Sequence, residues 1–329
     1  MLDAAARVSV RLAAMRRRTL GRSGVEVPEV GLGTWSLSGE GYGPVTPEDA
    51  RRVIEVALEE GCSFLETADC YGEGRVERTI GEVLKARGRG AAFVSTRIGV
   101  DRAGELTRKN FTPKYLTAAC DRSLERLQTD HVDALVLHNP QVGTITLGDA
   151  WQCLEGLKAA GKARAIGVSV STVEAGEAAA ALAPDLLVMP YNLVFSQVLH
   201  RLAGVISGGP IGVVARSPYG YGVLADTWGA SRRFRDEDHR MYRWSASDLT
   251  RRVTQREALR PLVGDGVPSL RALALRYVLA NGLVTVAVPG ARTPEHVRDN
   301  AHLAEELPYL PDPVLIAVGQ HLRDAGVET

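Results

Sequence analysis

The sequence predicts a single-domain (β/α)8 TIM barrel, and three observations carry that expectation. Short apolar runs rich in Val, Ile and Leu alternate with longer amphipathic segments from one end of the chain to the other. The runs number eight, and the crossovers between them are long enough to force parallel pairing. The length, 329 residues, lies where α/β barrels fold as one domain.

In chain order the strands are expected at Val30 to Gly33, Ser63 to Thr67, Ala92 to Thr96, Val132 to Leu137, Ala163 to Val168, Leu186 to Met189, Gly212 to Ala215 and Val284 to Val288. Helical patterns fill Pro47 to Glu60, Pro113 to Leu127 and Leu147 to Ala160. Thr46 and Thr112 stand where they can cap the first two. An N-terminal β-hairpin precedes the barrel proper. Met1 to Ala14 carries arginines but no continuous apolar region and no small-residue cleavage site. Residues 1–15 therefore read as a disordered extension or a mis-assigned start, and residues 16–329 as the barrel. The longest interruption is a long loop after strand 7, Ala225 to Pro261, with Trp228, Phe234, Tyr242, Trp244 and many arginines. Loops after barrel strands gather at the C-terminal face, so this one is expected to be a lid, with a plain surface excursion as the alternative.

Lys+Arg and Asp+Glu both number 39, so no global field draws the chain to nucleic acid or to an anionic membrane. Any recognition of charge must be local. Cys62, Cys70, Cys120 and Cys153 show no CxxC spacing and sit in apolar-periodic segments, which suits buried thiols in a reducing cytoplasm and argues against a metal site. No apolar run approaches the roughly 18 residues of a membrane span. A soluble cytoplasmic protein with a small-molecule substrate is expected, with a homo-oligomer left open.

Polar residues at the ends of buried strands are costly unless partnered. Glu66 with Tyr71, Arg97 and His138 end strands two, three and four or begin the loops that follow. A barrel brings such ends together, so a carboxylate, a phenol, a guanidinium and an imidazole can face one cavity. Taken singly they have plainer roles: Glu66 and Arg97 as a structural ion pair, His138 as a core histidine, Tyr71 as a rim aromatic. Their matched positions favour function. A dinucleotide fingerprint at Gly72-Glu73-Gly74 is weak, since Glu77 replaces its third glycine.

From Arg18 to about Leu307 the chain resembles the aldo-keto reductases, in particular the bacterial, potassium-channel β-subunit-like branch. The segments that carry the resemblance are RTLGRSGVEVPEVGLGTW, FLETADCYGEG, VSTRIG, SLERLQTDHVDALVLHNP, GKARAIGVS, PYNL, ARSPYGYGVL and VPGARTPEHVRDNA, in that order. The resemblance implies hydride transfer from a nicotinamide to a carbonyl carbon, with Tyr71 giving a proton to the oxygen. It assigns His138 to orienting that oxygen. Arg97 stands where the family has lysine, and Glu66 where it has aspartate. Both swaps keep charge but change geometry, because a guanidinium is planar, larger and never deprotonated in proteins. Asp69 is not a substitute for the aspartate, which it commonly accompanies in the family.

For the cofactor, NADP(H), the resemblance implies Ser169 at the carboxamide, with Val170 and Val188 replacing the usual Asn and Gln. Arg216, Ser217, Pro218 and Gly220 then follow strand seven, and Gly290, Ala291 and Arg292 follow strand eight. Backbone N–H groups at a glycine turn and helix start form an anion site, and Arg292 suits a 2′-phosphate. Asn300 matches the residue that meets adenine, and His296 stands where Gln or Arg is usual. Trp35 and Tyr42 read as barrel-rim packing or as the apolar wall of a substrate pocket. Two function classes follow: an NADPH-dependent carbonyl reductase, and a barrel that has lost hydride transfer for a redox-neutral step or for ligand binding alone.

Overall fold

A computed structural model describes residues 15–102, 107–209, 211–264 and 266–327. Eight parallel strands form the barrel: β1 (Leu32–Gly33), β2 (Phe64–Ala68), β3 (Phe93–Ile98), β4 (Val132–Leu137), β5 (Ala163–Ser169), β6 (Leu186–Pro190), β7 (Gly212–Arg216) and β8 (Val286–Val288). Neighbours pair in chain order. The ring closes where Gly31 N–H donates to Ala287 O at 2.8 Å and Gly33 N–H to Pro289 O at 3.0 Å. Every expected strand is present, although the first begins at Leu32 rather than Val30 and the eighth at Val286 rather than Val284.

Side chains alternate across a strand with period two, and that period sorts the core. Phe64, Ala134, Val136, Ala165, Leu186, Val188, Val214, Val286 and Val288 fill the barrel interior. Their neighbours Leu65, Leu135, Leu137, Ile166, Leu187 and Val213 pack outward. The expected hairpin, Arg17–Thr19 paired with Glu26–Pro28, brings Leu20 and Val27 into the interior cluster and so plugs one end. Met15, placed in the extension by the sequence, packs against the core, while the expectation for Met1 to Ala14 lies outside the described residues.

Outside the strands lie α1 (Pro47–Glu59), α2 (Arg75–Arg87), α3 (Pro113–Leu127), α4 (Asp149–Ala159), α5 (Val173–Ala181), α6 (Gln197–Ser207), α7 (Leu270–Ala280) and α8 (Pro294–Leu303). Thr46 and Thr112 cap α1 and α3, accepting from Asp49 N–H and Tyr115 N–H, with proline opening each helix. The helix expected over Leu147 to Ala160 is present as α4, and a short helix the sequence did not suggest, Val142–Leu147, precedes it. Gly148, left-handed at φ 82°, ends Val142–Leu147 and opens α4. Of the four free cysteines, Cys62, Cys70 and Cys120 are buried and Cys153 only half so. No described helix is long and apolar enough to cross a membrane.

Where α2 meets α3 the backbones nearly touch at Gly81, whose missing Cβ would lie 2.6 Å from Arg126 O and 2.9 Å from Leu127 Cα. Backbone cannot yield as a side chain can. Gly81→Ala should cost about 1–3 kcal/mol by overpacking, read as a lower urea midpoint, and an unchanged midpoint would show that the helices slide apart freely.

Candidate active site

The inward register of the strands carries polar groups to the C-terminal mouth of the barrel. Two residues beyond Phe64 stands Glu66, beyond Ser95 stands Arg97, beyond Val136 stands His138 and beyond Val214 stands Arg216. Tyr71 lies on the turn after β2, its backbone N–H bonded to Ala68 O at 3.1 Å. The four residues singled out from sequence do meet.

Arg97 is their centre. Its Nε lies 2.6 Å from Glu66 Oε1, with both side chains about 4% exposed. Nη2 donates to Tyr71 Oη, and Nη1 lies 3.1 Å from His138 Nε2. A guanidinium only donates, so His138 Nε2 is the acceptor and the imidazole proton sits on Nδ1, 3.9 Å from Cys70 Sγ. Burial, then Arg97, Lys109 and Arg216, hold His138 well below the usual histidine range, and the ring is neutral.

Burial raises Tyr71 above an ordinary phenol, and Arg97 pulls it back. It stays protonated. Burial also pushes the Glu66 carboxyl up, against Arg97 and Arg216, which pull it down. Burial works against the charge on Arg97, but Glu66 and Tyr71 outweigh it and raise that group. Because a guanidinium does not release its proton, the pair stands as arginine cation and glutamate anion. Asp69 makes no ion pair with Arg97; it lies beside Cys70 and His138, with the N–H groups of Gly99 and Cys70 turned to its carboxylate and Glu77 nearby.

The mouth opens into a cavity of about 830 Å³. Six of the ten residues matched to the cofactor line it: Arg216, Ser217, Pro218, Gly290, Arg292 and His296. The other four lie behind the wall. Ser169 is fully buried, its hydroxyl donating to Asn139 Oδ1 and accepting from Asn139 N–H, both at 2.9 Å. Asn300 is likewise spent, accepting from Tyr219 Oη at 2.6 Å and Arg271 Nη2 at 2.9 Å. Ala291 O accepts from Ser36 Oγ at 2.7 Å, and Gly220 is buried beside Leu224. Arg216 reaches to Ser171 Oγ at 2.8 Å and acts on Glu66 and Tyr71, so it lies nearer that cluster than the sequence implied. Val170 and Val188 are buried as apolar packing.

Trp35 and Tyr42 line the cavity, edge-to-face at 5.4 Å. His239 from the long loop packs on both rings, at 4.5 Å and 4.9 Å. That loop is an ordered cover: Asp238 bridges to Tyr42, His239 N–H donates to Gly41 O at 3.0 Å, and Trp228 and Arg240 line the cavity below. Tyr242, counted among its aromatics, is 75% exposed and faces away. Arg292 joins the same seam, donating to the carbonyl oxygens of Tyr42, Gly43 and Pro44.

Sequence reasoning missed Lys109, Arg271 and Tyr221, all lining the cavity. Tyr221 stands in the ARSPYGYGVL segment and was passed over there, whereas Lys109 and Arg271 lie in no such segment and only the topology brings them to the cavity. Donor atoms of Asp69, Cys70 and His138 also lie within 4.8 Å of one another. As a metal set they are poor, since burial pushes the Cys70 thiol up to about 12 and Arg97 and Lys109 stand close by.

Fold and site together describe a barrel oxidoreductase. The chain belongs to the aldo/keto reductase family, whose pattern matches residues 29–313. It is 29% identical over 296 residues to the uncharacterized oxidoreductase YqkF of Bacillus subtilis (strain 168), covering 88% of this chain and 91% of that one. With the aldo-keto reductase YhdN of the same organism it shares 30% over 181 residues, 54% of each chain. The holo form of aldo-keto reductase AKR11C1 from Bacillus halodurans superposes with a TM-score of 0.79 at 25% identity, over 93% of this chain and 96% of that one.

The setting of Asp69 makes a pH-dependent contribution to stability. Burial and Glu77 raise its carboxyl from 3.8 to about 7. Between those values the folded state binds more protons than the unfolded, so stability falls as pH rises through that window. Asp69→Asn should therefore stabilise relative to wild type at pH 8 and not at pH 4, as read by thermal unfolding. A gain of equal size at both pH values would assign the effect to packing rather than charge.

Proposed function

We propose that this chain is an NADPH-dependent carbonyl reductase in which Tyr71 delivers a proton to the carbonyl oxygen. One observation carries the reading: Arg97 donates to the phenolic oxygen, which leaves the phenol's own hydrogen free to donate into the cavity. The residues present suit a nicotinamide dinucleotide. Arg216 Nε is buried without a partner among the described residues, and Gly290, whose Cβ would crowd Ser36 at 3.3 Å, keeps the wall open for a close backbone approach. Arg292 and His296 would meet the 2′-phosphate end, with Arg271 beside them. When bound, the cofactor supplies the hydride to the carbonyl carbon.

The chain's own residues supply the rest. Burial keeps Tyr71 protonated until the oxygen begins to gain charge, and Arg97 then stabilises the tyrosinate left behind. His138, accepting from Arg97, holds that guanidinium against Tyr71, a positioning role rather than the direct contact with the carbonyl that the resemblance implies. Trp35, Tyr42 and the cover of Trp228 exclude water from the apolar side.

Tyr71→Phe should lower kcat by about 100-fold or more while NADPH affinity changes less than about 2-fold, because the phenol matters chiefly in the transition state. Restoring the family pair with Glu66→Asp and Arg97→Lys together should keep or raise turnover of a generic aldehyde, whereas each single change should lower it. NADPH bound by both forms but oxidised by neither over a broad carbonyl panel, with Tyr71→Phe silent, would move the barrel to a redox-neutral or binding role. For the cofactor, Arg292→Ala should weaken NADPH by about 10-fold and NADH far less, since only the former presents a 2′-phosphate. Equal losses in two fluorescence titrations would remove Arg292 from that contact.

A further inference from the structure

The cavity is lined by eight Lys and Arg side chains and by one carboxylate, Glu66, in a chain whose net charge is zero. Four of the cations are neutralised in place: Arg97 by Glu66, Arg102 by Glu40, Arg240 by Asp238 and Arg271 by Asp299. Arg292, which donates to backbone carbonyls, stands at the end assigned above to the 2′-phosphate. Lys109, Arg216 and Arg243 are left with no carboxylate in ion-pair contact among the described residues. A cleft with a surplus of one sign focuses potential and draws in the opposite charge.

Cofactor phosphates account for cations near β7 and β8. They do not account for Lys109. It lies beyond β3 on a short antiparallel ribbon, where Val100 pairs with Lys109 and Asn110 N–H donates to Gly99 O at 3.1 Å. Its Nζ donates to the backbone oxygen of His138 at 2.5 Å. The ammonium is thus held over the end of β4, beside the cluster of Tyr71, Arg97 and His138, and its other N–H groups have no partner among the described residues. Its charge, with those of Arg97 and Arg216, reaches the His138 ring. Around the reacting centre three cations face one carboxylate.

Resting on the reductase reading above, we propose that the substrate is itself an anion: an aldehyde or ketone bearing a carboxylate or phosphate that Lys109 binds while the carbonyl lies at Tyr71. Lys109 is exposed at the rim, so the acid group stays partly hydrated and the reacting carbonyl enters the apolar end. The residue would set specificity and take no part in proton transfer.

The test compares matched aldehydes on the NADPH-saturated protein at low ionic strength: succinic semialdehyde against butanal, and glyceraldehyde 3-phosphate against glyceraldehyde. For at least one pair, kcat/KM should favour the acid by about 10-fold or more, the size expected of a charged hydrogen bond. Lys109→Met should bring that ratio close to one, and Lys109→Arg should keep most of it. The pair with the larger ratio tells carboxylate from phosphate. A ratio near one for both pairs, or one unmoved in Lys109→Met, overturns the proposal and leaves the reductase reading standing. Should no aldehyde be reduced, the reductase reading fails, and equilibrium dialysis of labelled succinate decides the anion site. Saturable binding lost in Lys109→Met sustains the site, and binding that is absent or equal in both forms rejects it.

Discussion

Arg97 is 3% exposed and lies 2.6 Å from an equally buried carboxylate, so the mouth of this barrel is organised around an ion pair that water does not screen. Taking such ions out of water costs several kcal/mol each, which the pair offsets only if every remaining donor is used. A lysine offers a point charge, whereas the guanidinium fork can serve three directions at once. Here it turns one edge to Glu66, one nitrogen to Tyr71 and one to His138. The arrangement fixes a direction of donation throughout. Tyr71 accepts and so keeps its own hydrogen; His138 accepts and so gives up Nε2 as a donor. A site of four polar residues is left with one free acid.

That geometry exists because strand period and strand order cooperate. Neighbouring strands β2, β3 and β4 place Glu66, Arg97 and His138 on the inward face at successive positions round the mouth, with Arg216 reaching over from β7. The segments after β1, β7 and β8 are stitched together by the Tyr42 to Asp238 bridge, by His239 on Gly41 and by Arg292 on three carbonyls. One side of the mouth is roofed and held shut by backbone contacts. The side after β3 and β4 is tied by side chains instead, Arg102 to Glu40 at 2.8 Å and Lys109 to the backbone oxygen of His138 at 2.5 Å.

The parts legible in the sequence are those governed by local rules. Strands could be read because runs buried on both faces are continuously apolar, and Thr46 and Thr112 because a cap followed by proline is a short-range signal. The short helix Val142–Leu147 was not legible, since its 6 residues are too few to register a period, and Gly148, left-handed, parts it from α4. Within the site, the identities of Glu66, Tyr71, Arg97 and His138 were legible but the tautomer of His138 was not, because it depends on which atom of a distant arginine faces it. Ser169 and Asn300 occupy the positions that motif matching gives them, yet each has turned to a protein partner, Asn139 in one case and Tyr219 with Arg271 in the other. A motif fixes where a residue sits; the neighbours decide where its polar atoms point.

Charge shows the same limit most sharply. Equal totals of acidic and basic residues mean that composition assigns this protein no field at all. The fold nevertheless gathers eight cations and one carboxylate round a single cavity, drawing them from β2, β3, β7 and β8 or the segments that follow them and from α7. Acidic residues must then be in excess elsewhere on the surface, where salt screens them within roughly 8–10 Å. Inside the cavity, walls of low dielectric leave the cationic potential far less screened. A neutral chain can thus present a strongly cationic site to a small molecule while offering nothing comparable to a polyanion that meets its surface as a whole. Under the anionic-substrate proposal, recognition would follow from where the charges sit, and only the folded barrel sets that placement.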